Sequence, residues 1–399
     1  MGAGPLEVLP LSTRSERGVA GALIRGGLER GEAATAAAGL APAAFRIEGL
    51  DEASLEALVH FGGRLGLDVV TGAGWAVIAG ARSRLSALAR PWTVPEPLRD
   101  VAYQLGIALP AERAVAWTTA RGPIPLDRPV IMGILNVTPD SFSDGGAHTG
   151  PDAAVRHAEG LLRDGAAIID VGGESTRPGR TSLVPAEEEL RRVAPAIERI
   201  ARELPEAFVS IDTMKAPVAR AALDAGAAIV NDVTALRHDP EVGAVAAAAG
   251  AGLVLMHSRG DPLAIASLEH ARYDDGVVAG VMRELRAGID RAAAAGVAAD
   301  CIAIDPGLGF AKSAAQNLEL TDQLEALLAF GRPVVVGPSR KRFLGEATGR
   351  DVGARDAATA AACALAAERG ARIFRVHDAA ATRDALAVAH ALAHSSTMP

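Results

Sequence analysis

Eight short runs of Val, Ile and Leu in the last 275 or so residues are each followed, or ended, by side chains able to do chemistry. Asn136 closes the first run, Asp170 lies within the second and Asp212 ends the third. Asn231 and Asp232 end the fourth, His257 the fifth and Asp305 the sixth. Ser339, Arg340 and Lys341 follow the seventh, and the eighth holds Arg375 and His377. A single Asp after a strand is ordinarily a helix cap or a turn residue. Eight polar positions in the same place relative to eight strands need a common explanation, and a binding site supplies one. Charge sorts them into two sets. Asp170, Asp212, Asn231 and Asp305 offer acceptors and an amide, which suits a flat heterocycle rich in N–H donors. A buried polar group left unpaired costs ~1–3 kcal/mol, so such a set specifies its partner. Arg177, Lys341, Arg375 and His377 offer positive charge and N–H donors, which suits phosphate oxygens. The combination predicts a ligand with a hydrogen-bonding ring and an anionic leaving group.

The elements that must position these residues are strands at Val130–Leu135, Ala167–Val171, Phe208–Ile211, Ala227–Val230, Gly252–Met256, Cys301–Ile304, Pro333–Val336 and Arg372–Val376. Helix-compatible stretches such as Pro151–Arg163, Pro185–Arg202, Pro217–Asp224 and Val352–Arg369 lie between them. Strands alternating with helices imply right-handed βαβ units and a parallel sheet. Eight such units in ~250 residues are the size of a (β/α)₈ barrel, whose catalytic groups sit at the C-terminal ends of its strands. The expected fold class is therefore α/β: a (β/α)₈ TIM barrel over 125–399, preceded by a small α/β domain within 1–120. An open doubly wound sheet would carry a Gly-rich phosphate turn after its first strand. Asn136-Val137-Thr138-Pro139-Asp140 is not such a turn. Two long polar loops, 136–146 and 172–179, have Gly or Pro at their ends and read as lids that add groups on closure. In the first 120 residues, Phe45–Ile47, Leu67–Thr71 and Trp75–Ile78 read as strands, with helices at Glu52–Leu65 and Arg82–Leu88. The role of that segment is not legible.

Composition narrows the class. Nearly half the residues are hydrophobic and only 3% aromatic, which suits strands buried on both faces. A net charge of −8 without a Lys/Arg block argues against nucleic acid or an anionic membrane as partner. Two cysteines, Cys301 and Cys363, make neither a disulfide framework nor a zinc site, and a reducing, cytoplasmic setting is expected. His60, His148, His238 and His270 have no metal-ligand spacing. Neither a signal peptide nor a membrane span is expected. Of 40 Lys plus Arg residues only three are lysines, Lys215, Lys312 and Lys341, all in strand-end motifs. Coding bias accounts for most of that, yet a lysine retained against it can be one whose compact, rotatable charge Arg cannot replace. Lys341 is assigned to the site; Lys215 and Lys312 are read as stabilising loops, and His257 as either structural or in contact with ligand.

Taken in order, the motifs resemble one family. MGILNVTPDSFSDGG (132–146), IDVGGESTRPG (169–179), SIDTMK (210–215), VND (230–232), LMH (255–257), DPGLGFAK (305–312), GPSRKRF (337–343) and RVHD (375–378) are similar to those of dihydropteroate synthase. The resemblance spans Val130 to Asp378. It implies condensation of 6-hydroxymethyl-7,8-dihydropterin diphosphate with p-aminobenzoate, giving 7,8-dihydropteroate and pyrophosphate in folate biosynthesis. By that resemblance Asp212, Asn231, Asp305 and Lys341 hold the pterin, Met256 packs nearby, and Asp170 is counted among the substrate-binding residues. Arg375, His377 and Asn136 bind the diphosphate, with Mg²⁺ near Asn136. Asp144 and Arg177 arrive on the two loops. Thr176, Pro178, Phe310 and Lys341 shape the p-aminobenzoate pocket, where sulfonamides compete. Many bacterial members have Ser after the lysine, whereas this chain has Arg342, which either meets the p-aminobenzoate carboxylate or points to solvent. The family also implies a homodimer. A pterin-binding methyltransferase is the rival within enzymes, but it needs neither the cationic set nor the TPDSFSD loop. A pterin-binding regulatory protein without catalysis is the rival outside them, and all the matched positions are filled.

Overall fold

The computed structural model describes residues 42–109, 114–137, 150–174, 182–274 and 276–394, with a few positions between 29 and 39. Most of the two long loops, including Asp144, Thr176, Arg177 and Pro178, lies outside the described residues. The chain divides into two compact units, one reaching Ala111 and joined by Ala391–Pro399, the other Glu112–His390.

In the first unit, β1 (Pro42–Glu48), α1 (Glu52–Arg64), β2 (Asp68–Gly72) and β3 (Trp75–Ala81) are followed by α2 (Arg82–Leu88) and α3 (Arg99–Ala108). β3 lies between β1 and β2, antiparallel to both. Asp51 caps α1 by accepting from the Ser54 backbone N–H at 2.8 Å. Leu58, Ile78, Leu85, Leu88, Leu98 and Leu105 form the core of this unit. The strands and first two helices are those expected from the sequence, whereas α3 was not anticipated beyond the prolines at 95 and 97.

The second unit opens with an antiparallel hairpin, β4 (Ala116–Thr119) and β5 (Gly122–Pro125), also not anticipated. Pro123 and Pro125 remove two donors from β5 and disguise it as loop, and this strand pairs on one side only. Eight strands then alternate with helices. They are β6 (Val130–Asn136), β7 (Ile168–Gly172), β8 (Phe208–Asp212), β9 (Ile229–Asp232), β10 (Gly252–Met256), β11 (Ile302–Asp305), β12 (Val335–Val336) and β13 (Ile373–Val376). All pair in parallel, β13 returns to β6, and an Ile304–Val334 bridge joins β11 to the start of β12. The sheet is thus a closed (β/α)₈ barrel. Its helices include α4 (Pro151–Arg163), α5 (Ala186–Glu203), α6 (Ala216–Asp224), α7 (Glu241–Ala249), α8 (Val277–Ala294), α9 (Ala314–Asp322), α10 (Arg342–Thr348), α11 (Asp356–Glu368) and α12 (Ala379–His394). Each lays an apolar stripe on the outer face of the strands: in α5, Val193, Ile197 and Ile200 follow the helical repeat and are fully buried.

The inside of the barrel is layered. Val130, Met132, Ile168, Ile229, Val254, Ala303, Val335 and Ile373, mostly from the first halves of their strands, cluster with Trp117, Ile124 and Leu126 of the hairpin region. The hairpin closes the N-terminal mouth. Trp117 is fully buried and its indole N–H donates to the Cys301 carbonyl at 2.8 Å. Gly252 permits that approach, since a Cβ there would lie 2.9 Å from the indole ring. The polar residues are left at the opposite, C-terminal mouth. We expect Trp117→Ala to lower the unfolding free energy of the barrel by about 3–5 kcal/mol in urea titration, the usual loss for a buried Trp. A loss below about 1 kcal/mol would mean that the hairpin is not a structural plug.

Candidate active site

Inward-facing positions alternate along each strand, so the last inward residue of each strand lies at the mouth. Register makes neighbours of Gly172 and Asp212, of Asp212 and Asn231, and of Met256 and Asp305. Asn136, ending β6 and half-buried, is paired with Gly172; a Cβ on that glycine would lie 3.6 Å from both Asn136 Oδ1 and Asp212 Cβ.

Arg375 ties the strand ends together. From β13 its Nε donates to Asp170 Oδ2 on β7 and its Nη2 to Asp212 Oδ2 on β8, both at 2.6 Å. Asn231 Nδ2 donates to the same Asp170 oxygen at 3.1 Å. Asp170 is fully buried and its other oxygen has no hydrogen-bond partner; neither does the buried Ser210 hydroxyl, in register beside it. Asp305 accepts from the Gly307 N–H at 2.7 Å. Lys341, the residue preceding α10, places Nζ 3.7 Å from the centre of the Phe310 ring, which packs with Met256, Val233 and Ile265. His377 shares a 2.9 Å hydrogen bond between Nδ1 and Ser339 Oγ, joining the end of β13 to the loop after β12.

The acceptor set and three of the four expected cationic residues, Lys341, Arg375 and His377, therefore meet in one mouth, while Arg177 lies outside the described residues. Three carboxylates face two cations there. Burial pushes Asp212 up to about 7, with Arg375 opposing and Asp170 adding to the rise. Burial also pushes Asp305 up to about 6, against the Gly307 N–H and Lys341. Lys341 is lowered to about 8 by burial and by Arg375. Such shifts are what a pocket awaiting a polar ligand shows.

Other expected residues resolve differently. Arg342 lies on the exposed face of α10 and pairs with Glu346 Oε1 at 3.1 Å, the solvent-facing alternative. Asp232, one residue beyond Asn231, accepts from the backbone of Thr234 and Leu236 and so shapes the turn after β9. His257 is a buried structural residue, bonded to Lys312 through Nδ1 and to Glu284 through Nε2. Lys215 sits 2.5 Å from both Glu174 and Glu189, at the root of the second loop. Glu284 and Glu189 had no local signal, because each comes from a helix far along the chain. Asp144, Thr176, Arg177 and Pro178 lie outside the described residues. Among the described residues no cluster of three or more His, Cys, Asp or Glu could hold a metal ion.

A family model described as pterin-binding enzyme matches residues 132–377. A dihydropteroate synthase of Mycobacterium leprae is 48% identical over 271 residues, covering 66% of this chain and 94% of that protein. The solved Xanthomonas albilineans dihydropteroate synthase with 4-aminobenzoic acid is 48% identical, covers 72% of this chain and all of its own, and superposes with a TM-score of 0.66. The same enzyme with 7,8-dihydropteroate gives 46% identity, 71% and 100% coverage and a TM-score of 0.63.

The raised Asp305 value has a signed consequence. An aspartate protonated more easily in the folded chain favours folding at low pH, and that contribution is lost as pH rises through about 6. Asp305→Asn removes the loss while keeping the oxygen that accepts from Gly307. Relative to the parent chain, this variant should gain on the order of 2–3 kcal/mol of unfolding free energy between about pH 4 and pH 8. A difference that stays flat across that range in denaturant titrations would rule out a buried, strained carboxylate.

Proposed function

The chain belongs to the pterin-binding enzyme family, as one of its dihydropteroate synthases, and from that premise we propose how its own residues divide the reaction. The enzyme is a transferase that condenses 6-hydroxymethyl-7,8-dihydropterin diphosphate with p-aminobenzoate, releasing pyrophosphate. The observation that carries the division is the meeting of acceptors and cations in one mouth: Asp170, Asp212, Asn231 and Asp305 on one side, Lys341, Arg375 and His377 on the other.

In this reading Asp212, Asn231 and Asp305 accept the pterin's N–H hydrogens, and Asp170 holds Asn231 and Arg375 in place. Carboxylates against the ring favour electron donation from it towards the exocyclic methylene. The carbon–oxygen bond to diphosphate breaks with the electron pair leaving on oxygen. Arg375 and His377 stabilise that developing charge by N–H donation from fixed positions. The p-aminobenzoate nitrogen then forms the carbon–nitrogen bond and gives up a proton. No strong general base is required, and none is assigned. Phe310 and Lys341 border the second-substrate side, Met256 packs beside the pterin, and Asp144, Thr176, Arg177 and Pro178 are proposed to complete the second-substrate side from the two loops.

Asn136 offers one neutral amide oxygen, with no hydrogen bond of its own among the described residues. That sparse donor set fits Mg²⁺, which commonly keeps several waters and is held largely by substrate phosphates. When bound, the ion would supply charge neutralisation on the diphosphate. A homodimer and a cytoplasmic location complete the proposal; no helix among the described residues is long and apolar enough to cross a membrane. The methyltransferase alternative is disfavoured, because it has no need of the cationic set Lys341, Arg375 and His377.

Pyrophosphate release should require both substrates and stop when Mg²⁺ is chelated. Asp212→Ala, which removes a charged acceptor and unpairs Arg375, should lower kcat/KM by about a hundredfold or more while the chain still melts cooperatively. Near-parental turnover by that variant would remove Asp212 from the site.

A further inference from the structure

Lys312 is a second strand-end lysine that the reaction does not use. It is 1% exposed, and its ammonium has three partners: the carbonyls of Gly307 and Phe310, both at 3.0 Å, and His257 Nδ1 at 2.9 Å. Burial pushes the Lys312 pKa down to about 7, and below that pH the ammonium's three hydrogens each have an acceptor. His257 can accept because burial, with the charge of Lys312, pushes its pKa down to about 4. The neutral ring then keeps its hydrogen on Nε2 and donates to Glu284 Oε2 at 3.1 Å.

The segment that Lys312 closes is the turn between β11 and α9, and its backbone is tightly constrained. Gly307 is left-handed at φ +67°, and a Cβ there would fall 1.9 Å from the His257 carbonyl oxygen. Ala311 is left-handed at φ +46°. Asn317 Oδ1 accepts from Gly309 and the Tyr273 hydroxyl donates to Ala311, so the flanks have other supports. The Phe310 carbonyl is reached by Lys312. Arg would present a planar fork instead of one point from which three bonds diverge. This gives a physical reason for a lysine in a chain that otherwise uses Arg.

We propose that Lys312 is a positioning residue for the second substrate: its ammonium, oriented by His257, fixes the Phe310 carbonyl and thereby sets the Phe310 ring against Lys341. The inference rests on the reading of Phe310 and Lys341 as the border of the p-aminobenzoate side. Asp305 shares Gly307 with Lys312, whose ammonium takes the Gly307 carbonyl, but it is fixed in addition as the last residue of a strand in register with Met256 and by the Gly307 N–H. The pterin side should therefore be spared.

The test compares Lys312→Met, His257→Asn and His257→Gln in the full chain. KM for p-aminobenzoate is read from steady-state pyrophosphate release, and dihydropterin diphosphate binding with Mg²⁺ from calorimetry without the second substrate. Lys312→Met should raise KM for p-aminobenzoate about tenfold or more while pterin diphosphate affinity stays within about threefold. His257→Asn, whose amide oxygen can stand where Nδ1 stood, should stay close to the parent. His257→Gln places its amide at the Nε2 position, leaves one Lys312 hydrogen unmet, and should shift KM in the same direction as Lys312→Met. An unchanged KM in folded Lys312→Met overturns the proposal, as does an equal loss of affinity for both substrates, the mark of general destabilisation. Should Lys312→Met not fold, equal KM values for the two His257 variants overturn it. Failure of the parent chain to release pyrophosphate would instead fall on the functional reading.

Discussion

Arg375 imposes the central constraint. Two carboxylates inside a barrel, Asp170 and Asp212, would each carry a desolvation penalty of several kcal/mol if nothing answered their charge. The guanidinium that answers both starts on β13 and reaches past β6 to β7 and β8. It can do so only if the sheet is strongly curled, because β13 and β8 stand three strands apart along the wall. It also needs the register to be right. A slip of one residue in β13 would turn Arg375 outward against the helices and leave two carboxylates without their cation. Curvature, register and charge balance are thus one condition. The plug at the other mouth serves it by filling the lower barrel with Trp117, Ile124 and Leu126, so that the strands cannot collapse inward beneath the charged layer.

This coupling explains what could be read from the sequence and what could not. Barrel strands buried on both faces are short apolar runs, and the polar residue ending each run marks where the mouth lies. Asp170, Asp212, Asn231, Asp305, Lys341, Arg375 and His377 were legible for that reason. β12 is the exception in length, two residues where Pro333–Val336 was expected, since Pro333 cannot donate to a ladder and Val334 forms an isolated bridge to Ile304. The β4–β5 hairpin hid behind its prolines, and its turn, Ala120-Arg121, lacks the Asn-Gly or Asp-Gly signal of a tight hairpin. Glu284 and Glu189 were invisible for a different reason. They lie on helices and act on residues at other strand ends, so their roles exist only once the chain is folded.

The lysines show how composition can carry structural information. Arg makes most of the described ion pairs, including those of Arg191, Arg199, Arg272 and Arg383 near the surface, where a pair is worth little and the choice of cation hardly matters. Lys215 and Lys312 are buried, and each serves several partners converging on one atom: two carboxylates for Lys215, two carbonyls and an imidazole for Lys312. A point charge satisfies convergent acceptors and a fork satisfies parallel ones. Lys215 is also rooted through Glu174, whose second oxygen accepts from the Val184 backbone at 3.2 Å. One carboxylate therefore gathers chain from both sides of residues 175–181.

The site is expensive to maintain without a ligand. Asp212 and Asp305 have raised pKa values because burial is not fully met by Arg375 and Lys341, and one Asp170 oxygen and the Ser210 hydroxyl are buried without partners. Each is a local destabilisation that a well-packed fold must absorb elsewhere. The barrel separates the two tasks by position. Apolar packing fills the N-terminal half, the helices cover the outer wall, and the cost is confined to inward residues in the C-terminal halves of the strands. A ligand bringing several N–H donors on one edge and negative charge on the other would relieve both imbalances. The ligand is thus defined by what the mouth leaves unmet, and a merely hydrophobic ligand would do nothing for the raised carboxylates, the free Asp170 oxygen or the Ser210 hydroxyl.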